Sequence, residues 1–235
     1  MGVPAIARSH VAAGLRRCAA VTCSLMVLGC ATETQRTLTP ATVASSGTAY
    51  SGPKYTLVVG KFQNRSTYMQ GIFSDGADQL GSQAKTILKT HLQQTGRFVV
   101  VDRENMSEIA REAEIRGAKQ ALSGAEAAIT GDVTEFGRKN VGDMELFGIL
   151  GAGSKQIAYA KVALNVVDVA TSEIVHSVQG AGEFELSNRE VVGFGGTAGY
   201  DATLNGKVLN LAITEAVNNL VTGLERGDWR PTSAR

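Results

Sequence analysis

The hydrophobic pattern of the first half of the folded region alternates between strands and helices. A β-branched apolar run over residues 55–62 predicts a buried strand, and a second run predicts another over 98–102. Apolar residues at three- and four-residue spacing predict a helix between them, capped by Ser74 or Asp75, and a second helix over 103–116. This order favours an α/β layer. The inner stripe of the second helix is expected to comprise Met106, Ile109, Ala110 and Ala113.

Period-two alternation dominates the second half of the chain. Residues 126–136 predict a third strand, strict alternation over 158–167 predicts a long strand with unequal faces, and 173–186 predicts a further strand. A wide apolar helical face over 205–224 predicts a last helix buried against the sheet. The predicted fold class is therefore an α+β or α/β domain in which a sheet packs with about three helices.

Glycine is concentrated where these strand patterns break. Thirteen of the 27 glycines lie within 131–206, many of them in two apolar tips at 147–153 and 191–200. Each tip lies between two extended limbs, so we expect two hairpins, at about 136–158 and 184–205. Exposed apolar patches such as these tips usually mark contact with a partner or a membrane. Such hairpins can contribute strands to an oligomeric transmembrane β-barrel; two soluble hairpins folded over the domain or a neighbour are the alternative. The candidate membrane-contacting residues at the tips are Phe147, Ile149, Leu150, Val192 and Phe194.

The first 29 residues have the order of a secretory signal. Three arginines and no acidic residue accompany a short apolar run, which is too short to remain as a membrane span. The run ends in Val27-Leu28-Gly29-Cys30, which resembles the lipobox of bacterial lipoproteins. We therefore expect residues 1–29 to be removed and Cys30 to carry covalent lipid, which anchors the protein permanently.

The stretch after the cysteine is predicted to be a lipidated tether over residues 30–54. It is rich in Thr, Ser and Ala and lacks periodic apolar residues, so it is expected to be irregular and outside the core. As a coil it would span about 25 to 30 Å, enough to lie across a neighbouring subunit, although a plain spacer explains it equally well. Ala31 rather than Asp follows the cysteine, which resembles the sorting pattern of outer-membrane lipoproteins facing the periplasm. Residues 55–235 form the predicted folded domain.

The net charge and the residue types of the chain argue against several classes of function. The 23 basic and 22 acidic residues give a net charge of +1 without a long basic run, so no nucleic acid is expected as a partner. The sequence of residues 193–198 matches the glycine-rich dinucleotide-binding motif. That motif requires a helix whose N-terminus binds the pyrophosphate, and no helix is predicted to begin there. His91 and His176 are expected to be surface or half-buried residues, and neither has a free cysteine beside it to form a zinc or catalytic site. We expect no enzymatic activity, no metal and no cofactor beyond the lipid on Cys30.

Three segments carry a resemblance to a known family. They are Arg97-Phe98-Val99-Val100-Val101-Asp102-Arg103, the longer stretch over 163–174 with its turn between two strands, and Leu224-Glu225-Arg226-Gly227-Asp228-Trp229. Together with the lipobox and the two hairpins, they make the chain resemble the curli secretion channel family, the CsgG-like outer-membrane lipoproteins, from about Thr56 to Trp229.

This resemblance implies a ring-shaped homo-oligomer, nonameric in the curli channel, with a periplasmic α/β domain and a barrel built from two hairpins per subunit. Secreted polypeptides such as curli-like fibre or adhesin subunits would cross the outer membrane unfolded, by ATP-independent diffusion and with periplasmic accessory factors. The family's pore constriction is the loop between the first strand and the first helix. Here the candidates in that loop are Asn64, Tyr68, Gln70 and Phe73, whereas Gly71, Asp75 and Gly76 fall nearest the family's own positions.

One departure from the family pattern leaves a second function open. The second hairpin is shorter than the family's, so a relative that keeps the ring domain and lacks a full pore is the alternative. Such a protein would be a periplasmic lipoprotein that acts as an envelope adaptor or assembly factor through its α/β domain.

Overall fold

The computed structural model of this protein describes residues 40–68, 78–144, 152–190 and 203–232. Its regular elements within these ranges are the strands β1 (Tyr55–Asn64), β2 (Phe98–Val101), β3 (Ala127–Met144), β4 (Ala152–Asp168) and β5 (Ile174–Glu190), and the helices α1 (Gln79–Gln94), α2 (Met106–Ile115) and α3 (Thr203–Arg226). None of these helices combines the length and the apolarity that crossing a membrane requires.

All five strands belong to one mixed sheet, in the order β2-β1-β3-β4-β5. β1 pairs in parallel with β2 and β3, whereas β3–β4 and β4–β5 are antiparallel pairs. The strand–helix alternation seen in the sequence therefore describes only the first three strands. The fold is a mixed α+β sheet of five strands with three helices.

The core lies between one face of the sheet and the helices α1 and α3. Alternate residues of β4 from Ala158 to Val166 are buried, as the period-two pattern predicts, while their neighbours are half-buried or exposed. They meet fully buried side chains of the two helices, including Leu88, Leu92, Leu209, Ile213 and Leu220. Burying each such side chain contributes about 1.5 to 3 kcal/mol, so this layer is the main source of stability.

α3 approaches β5 more closely than a side chain allows. A Cβ atom added at Gly180 would overlap the Ala212 carbonyl oxygen and the Ala216 amide nitrogen. Gly182 faces the same helix at Ala212 and Val208. Two glycines at alternate strand positions therefore let the helix backbone lie directly on the strand.

Two predictions about the helices are wrong. α1 is capped by Asp78, whose side chain accepts a hydrogen bond from the Gly81 amide, rather than by Ser74 or Asp75. α2 forms as predicted, but none of its residues is buried, and Ile109 of the expected inner stripe is 43% exposed. Periodicity shows that a helix is amphipathic but does not show whether the same chain supplies a surface that covers it.

Two expectations about single residues and the tether also need correction. Residues 40–54 contain no helix or strand, as predicted, but Val43 is 2% exposed and belongs to the core, so the stretch is not separate from the domain. His91 is buried between α1 and α3, with Nε2 2.8 Å from Asn210 Oδ1. His176 is half-buried, as expected. A lone apolar residue and a helical histidine carry no periodic signal that would reveal this burial.

Candidate functional site at the base of the projecting ribbon

Three strands continue beyond the part of the sheet that β1 joins. The last β1–β3 pair is Asn64 with Val133, whereas β3 stays paired with β4 as far as Met144 and Ala152. β4 in turn stays paired with β5 as far as Glu190. We call residues 135–144, 152–161 and 181–190 the projecting ribbon. Ten residues per strand give it a length of about 33 Å.

The ribbon contains the paired limbs of the first predicted hairpin, β3 and β4. β5 continues to Glu190, and residues 191–202 of the second predicted hairpin lie outside the described residues, so that hairpin stays a prediction. α3 begins at Thr203, so residues 203–205 at the end of that second hairpin are helical instead.

The loop that follows β1 is closed at its base by Asp78. The Asn64 amide donates to Asp78 Oδ2 at 2.7 Å, while Asp78 Oδ1 accepts from the Gly81 amide at 2.7 Å. The Asn64 side chain also bonds within the loop, accepting from the Ser66 hydroxyl at 2.6 Å and donating to the Tyr68 carbonyl at 2.8 Å. One carboxylate therefore joins the end of β1 to the start of α1 and holds the two ends of the loop together.

Tyr68 connects this loop to the projecting ribbon and to α3. Its aromatic ring lies 4.6 Å from that of Phe136 on β3, and its hydroxyl accepts a hydrogen bond from Asn205 Nδ2 at 2.8 Å. Asn205 Oδ1 accepts in turn from Arg138 Nε at 2.8 Å. The loop base, the ribbon and the first turn of α3 thus meet in one hydrogen-bonded cluster.

The other face of the ribbon carries a shallow groove of about 460 Å³. Across it Lys161 Nζ lies 2.7 Å from Glu135 Oε1, and the Tyr159 side chain covers Gly137 of the neighbouring strand. Because both members of the ion pair are about half exposed, water screens their attraction and the pair adds little stability. The groove offers an aromatic surface and paired charges near the strand edge.

Of the predicted site residues, the structure brings Asn64 and Tyr68 together at the loop base, where their side chains contact their own domain. Gln70 and Phe73, the lipidation candidate Cys30 and the tip candidates Phe147, Ile149, Leu150, Val192 and Phe194 lie outside the described residues. The roles of all these residues in a constriction, an anchor or a membrane contact stay predictions.

Sequence reasoning missed the role of Arg97, which is buried at the start of β2. Its Nε and Nη2 donate to Glu225 Oε1 at 3.0 and 2.9 Å, and its Nη1 donates to the carbonyls of Ser45, Thr48 and Thr95. The guanidinium carbon also lies 4.9 Å from the centre of the Tyr50 ring. Glu225 and Ser45 are 128 and 52 positions away, so no local pattern could have identified them.

The family-like segment over 163–174 contains a buried carboxylate. Asp168 Oδ1 accepts from the amides of Ala170 and Thr171 at 2.8 and 3.0 Å, and Oδ2 accepts from the Thr232 amide at 2.6 Å. The amides of Thr232 and Thr171 lower the pKa of Asp168 from 3.8 to about 2. The ionised side chain therefore holds both the β4–β5 turn and the C-terminal tail.

The third family-like segment folds Trp229 back into the core. Gly227 has φ +80°, and the Asp228 amide bonds to the Gly223 carbonyl at 2.9 Å, so the chain reverses at the end of α3. The Trp229 ring then stacks on His176, with the ring centres 5.9 Å apart, and its indole N–H donates to the Leu220 carbonyl. Phe98, from the first family-like segment, stacks on the same indole. These motifs therefore stabilise the end of the domain opposite the ribbon.

Two solved structures show a limited similarity to this chain. The PelC dodecamer from Paraburkholderia phytofirmans has a TM-score of 0.34 and 12% identity, covering 77% of this chain and 93% of that one. Protein XCC0632 from Xanthomonas campestris has a TM-score of 0.41 and 11% identity, covering 81% and 97%. Both scores are low, so neither structure informs the function of this chain.

Sequence comparison is more specific. A protein of Neisseria meningitidis serogroup B (strain ATCC BAA-335 / MC58), NMB1126/NMB1164, is 62% identical over 208 residues, which cover 88% of this chain and 93% of the relative; its name describes it as a lipoprotein. The family described as "Curli production assembly/transport component CsgG" matches residues 41–234, nearly the whole of the predicted mature chain. The chain therefore belongs to the CsgG family.

Proposed function

We propose that this protein is a lipid-anchored component of the outer membrane that assembles into a ring-shaped homo-oligomer and conducts secreted polypeptides. Passage is by diffusion of unfolded chains, without ATP and without enzymatic chemistry. Membership of the CsgG family over residues 41–234 is the observation that carries this proposal. The sequence Val27-Leu28-Gly29-Cys30 and the lipoprotein name of the meningococcal relative support the lipid anchor.

The edges of the projecting ribbon support assembly. Among the described residues, β3 has no strand partner on its outer side beyond Val133, and β5 is the last strand of the sheet. Two long unpaired edges are an aggregation hazard, which proteins avoid by covering the edges or closing the sheet. If identical subunits closed into a ring, the β3 edge of one ribbon could pair with the β5 edge of the next, and no subunit would keep an unpaired strand edge.

The loop base supports a constriction role for the loop over residues 63–75. Asn64 and Tyr68 tie the loop base to the ribbon and to α3, so the loop has a fixed origin next to the strands proposed to surround the pore. Gln70 and Phe73, farther along the loop, are the residues that we propose contact the passing polypeptide, with Asn64 and Tyr68 serving to position them.

Electrical recording tests the channel. The full lipidated protein, purified in mild detergent and added to a planar phospholipid bilayer, is expected to produce discrete conductance steps. Deleting residues 148–153 or 193–199 should abolish the steps, because each deletion removes a predicted hairpin tip. A protein that binds the bilayer through its lipid but never conducts would contradict the channel.

One observation favours a second function. Two neighbouring positions of a ribbon strand, which belong to opposite faces of the strand, both carry charged residues in Arg138-Lys139. Membrane-spanning strands instead alternate apolar residues facing lipid with polar residues facing the lumen. This composition suits a ribbon that stays in water, and hence an envelope adaptor or assembly factor that does not form a pore. Membrane binding without conductance is the outcome that this function predicts.

A further inference from the structure

The face of the sheet opposite α1 and α3 carries one continuous row of apolar side chains. In β1 the buried residues Leu57 and Val59 face the core, so Val58 between them lies on the opposite, open face. The strand register places an apolar residue beside Val58 on each neighbouring strand and continues the row to the β5 edge. We call this set, with one residue from each strand in spatial order, the apolar row: Val101, Val58, Ala128, Val167 and Ile174.

The apolar row is open to water instead of belonging to the core of the domain. Ile174, at the β5 edge, is 61% exposed, and the other four residues of the row are half-buried. On the ribbon side the row is bordered by the uncharged residues Thr130, Asn165 and Ser177 of the next register positions. A contiguous apolar surface that water can reach usually marks contact with a partner.

Among the described residues, α2 carries another uncovered apolar surface. Its apolar residues follow helical spacing, yet no residue of the helix is buried, and Ile109 is 43% exposed. β2 is the outermost strand on its side of the sheet, and Glu104, between β2 and α2, pairs with Lys85 and Lys89 of α1. The chain therefore enters α2 from the β2 side of the domain, whereas the most exposed residue of the apolar row lies at the β5 edge.

Two different surfaces on opposite sides of one subunit suit a head-to-tail contact between identical subunits. In the proposed ring, the β3 edge of one ribbon pairs with the β5 edge of the next. β1 and β2 continue the sheet beyond β3, so they extend toward the same neighbour that supplies the β5 edge. This arrangement brings α2 of one subunit to the Ile174 end of the neighbour's apolar row.

The dimensions of the two surfaces are also compatible. α2 has 10 residues and is therefore about 15 Å long, while the row crosses the five strands of the sheet over about 19 Å. A helix footprint of about 15 Å by 10 Å is far smaller than the roughly 800 Å² per partner of a stable interface. We therefore expect this contact to form together with ribbon pairing, not to hold two subunits together by itself.

We propose that α2 of each subunit packs its apolar stripe, around Ile109, against the Ile174 end of the apolar row of the next subunit. A second copy of this chain is thus the partner of both uncovered surfaces. Val167, which is paired with Ile174 across β4 and β5, completes the receiving surface. This inference rests on the ring in the proposed function, and it names the surfaces through which the ring domains meet.

Cysteine cross-linking in the full lipidated protein tests the contact. Cys30 is the only cysteine of the predicted mature chain, and its lipid is expected to leave no free thiol. Membranes that contain both Ile109→Cys and Ile174→Cys subunits, treated with a short bismaleimide, should give covalent dimers on denaturing gels. Ile115→Cys in place of Ile109→Cys is the matched control and should not, because Ile115 is 70% exposed and lies on the opposite side of α2 from Met106.

A subunit that carries both Ile109→Cys and Ile174→Cys distinguishes contact between subunits from contact within one. Docking on a neighbour predicts a ladder of covalent multimers. A cross-link confined to single chains would overturn the proposal, because α2 would then cover the sheet of its own subunit.

A charge in the proposed contact tests its contribution to assembly. Ile109→Glu would bury a carboxylate against the apolar row, so the fraction of ring particles at equal protein concentration should fall about tenfold. Ile115→Glu, on the other side of the helix, should assemble like the parent protein. Circular dichroism checks that both variants fold, and cross-linking decides the contact if Ile109→Glu does not. Normal assembly of a folded Ile109→Glu variant would overturn the proposal.

The particle mass of the parent protein separates this contact from the ring itself. Rings that assemble without a cross-link between the cysteines at 109 and 174 would overturn the contact and leave the proposed function standing. A parent protein that stays monomeric in mild detergent would overturn both.

Discussion

The Tyr68 hydroxyl accepts a 2.8 Å hydrogen bond from Asn205 Nδ2, a residue 137 positions later in the chain. Tyr68 lies at the base of the proposed constriction loop, and Asn205 lies in the first turn of α3, just after the second predicted tip. The loop base, the base of the ribbon and the start of α3 therefore meet at one point of the domain. We expect changes here to alter the position of the loop as well as stability.

Tyr68→Phe removes this hydrogen bond and retains the ring contact with Phe136. The free energy of unfolding should fall by about 0.5 to 1.5 kcal/mol, the net contribution of one hydrogen bond. Urea denaturation of the unlipidated domain measures the change. Tyr159→Phe, on the open face of the sheet, is the matched control and should have a smaller effect. Equal effects would show that the Asn205 bond contributes nothing specific.

Gly180→Ala should be strongly destabilising because the new Cβ would overlap backbone atoms of α3, which cannot rotate away. Overpacking of this kind costs about 3 kcal/mol, the upper part of the usual range. Gly124→Ala is the control, since nothing lies within 4 Å of the added atom. Thermal unfolding should separate the two variants clearly. If Gly180→Ala is as stable as the parent protein, the close approach of α3 to β5 is incorrect.

Trp229→Ala should cost about 3 to 5 kcal/mol, because it empties a buried site between Phe98, Tyr55 and His176. Trp229→Phe keeps much of the packing and loses the bond to the Leu220 carbonyl, so its cost should be smaller. Chemical denaturation gives both values. A small loss for the alanine variant would mean that the C-terminal segment does not anchor the domain.

The fold predicts a specific acid sensitivity at Asp168. Its pKa falls from 3.8 to about 2 on folding, so the unfolded chain binds the proton more tightly than the folded one. The stabilisation is fully present above pH 3.8 and is lost as the pH falls from 3.8 toward 2. Asp168→Asn should flatten the pH dependence of the unfolding temperature in this window. An unchanged pH profile would contradict the lowered pKa.

The order of strands and helices could be predicted from the sequence because each element carries its own period. The alternation in β4 and the wide apolar face of α3 are local properties of 10 to 24 residues, and the structure confirms both. The predictions that failed concern burial, which depends on contacts with residues far away in the sequence. The exposure of Ile109 reflects the lack of a covering surface among the described residues. The burial of Val43 depends on distant residues of α3, since Ala41 and Ala44 on either side of it bond to Asn210 and Asn218.

The candidate site was predictable only in part, for a related reason. The sequence places Asn64 and Tyr68 in the loop between β1 and α1, but it does not predict their contacts with Asp78, Phe136 and Asn205. In the sequence Arg97 is only one letter of a family-like segment, although in the structure it joins the segments around Ser45 and Glu225. Hydrogen bonds between distant positions leave no periodic trace in a sequence.

The central claim is that identical subunits close into a ring, and direct measurement of the particles tests it best. The full lipidated protein should be extracted from membranes in mild detergent, its mass determined, and its shape imaged by negative stain. We predict ring-shaped particles with a central stain-filled hole and a mass that is an integral multiple of the subunit. Monomers or small compact particles from the same membranes would contradict the ring and the channel built on it.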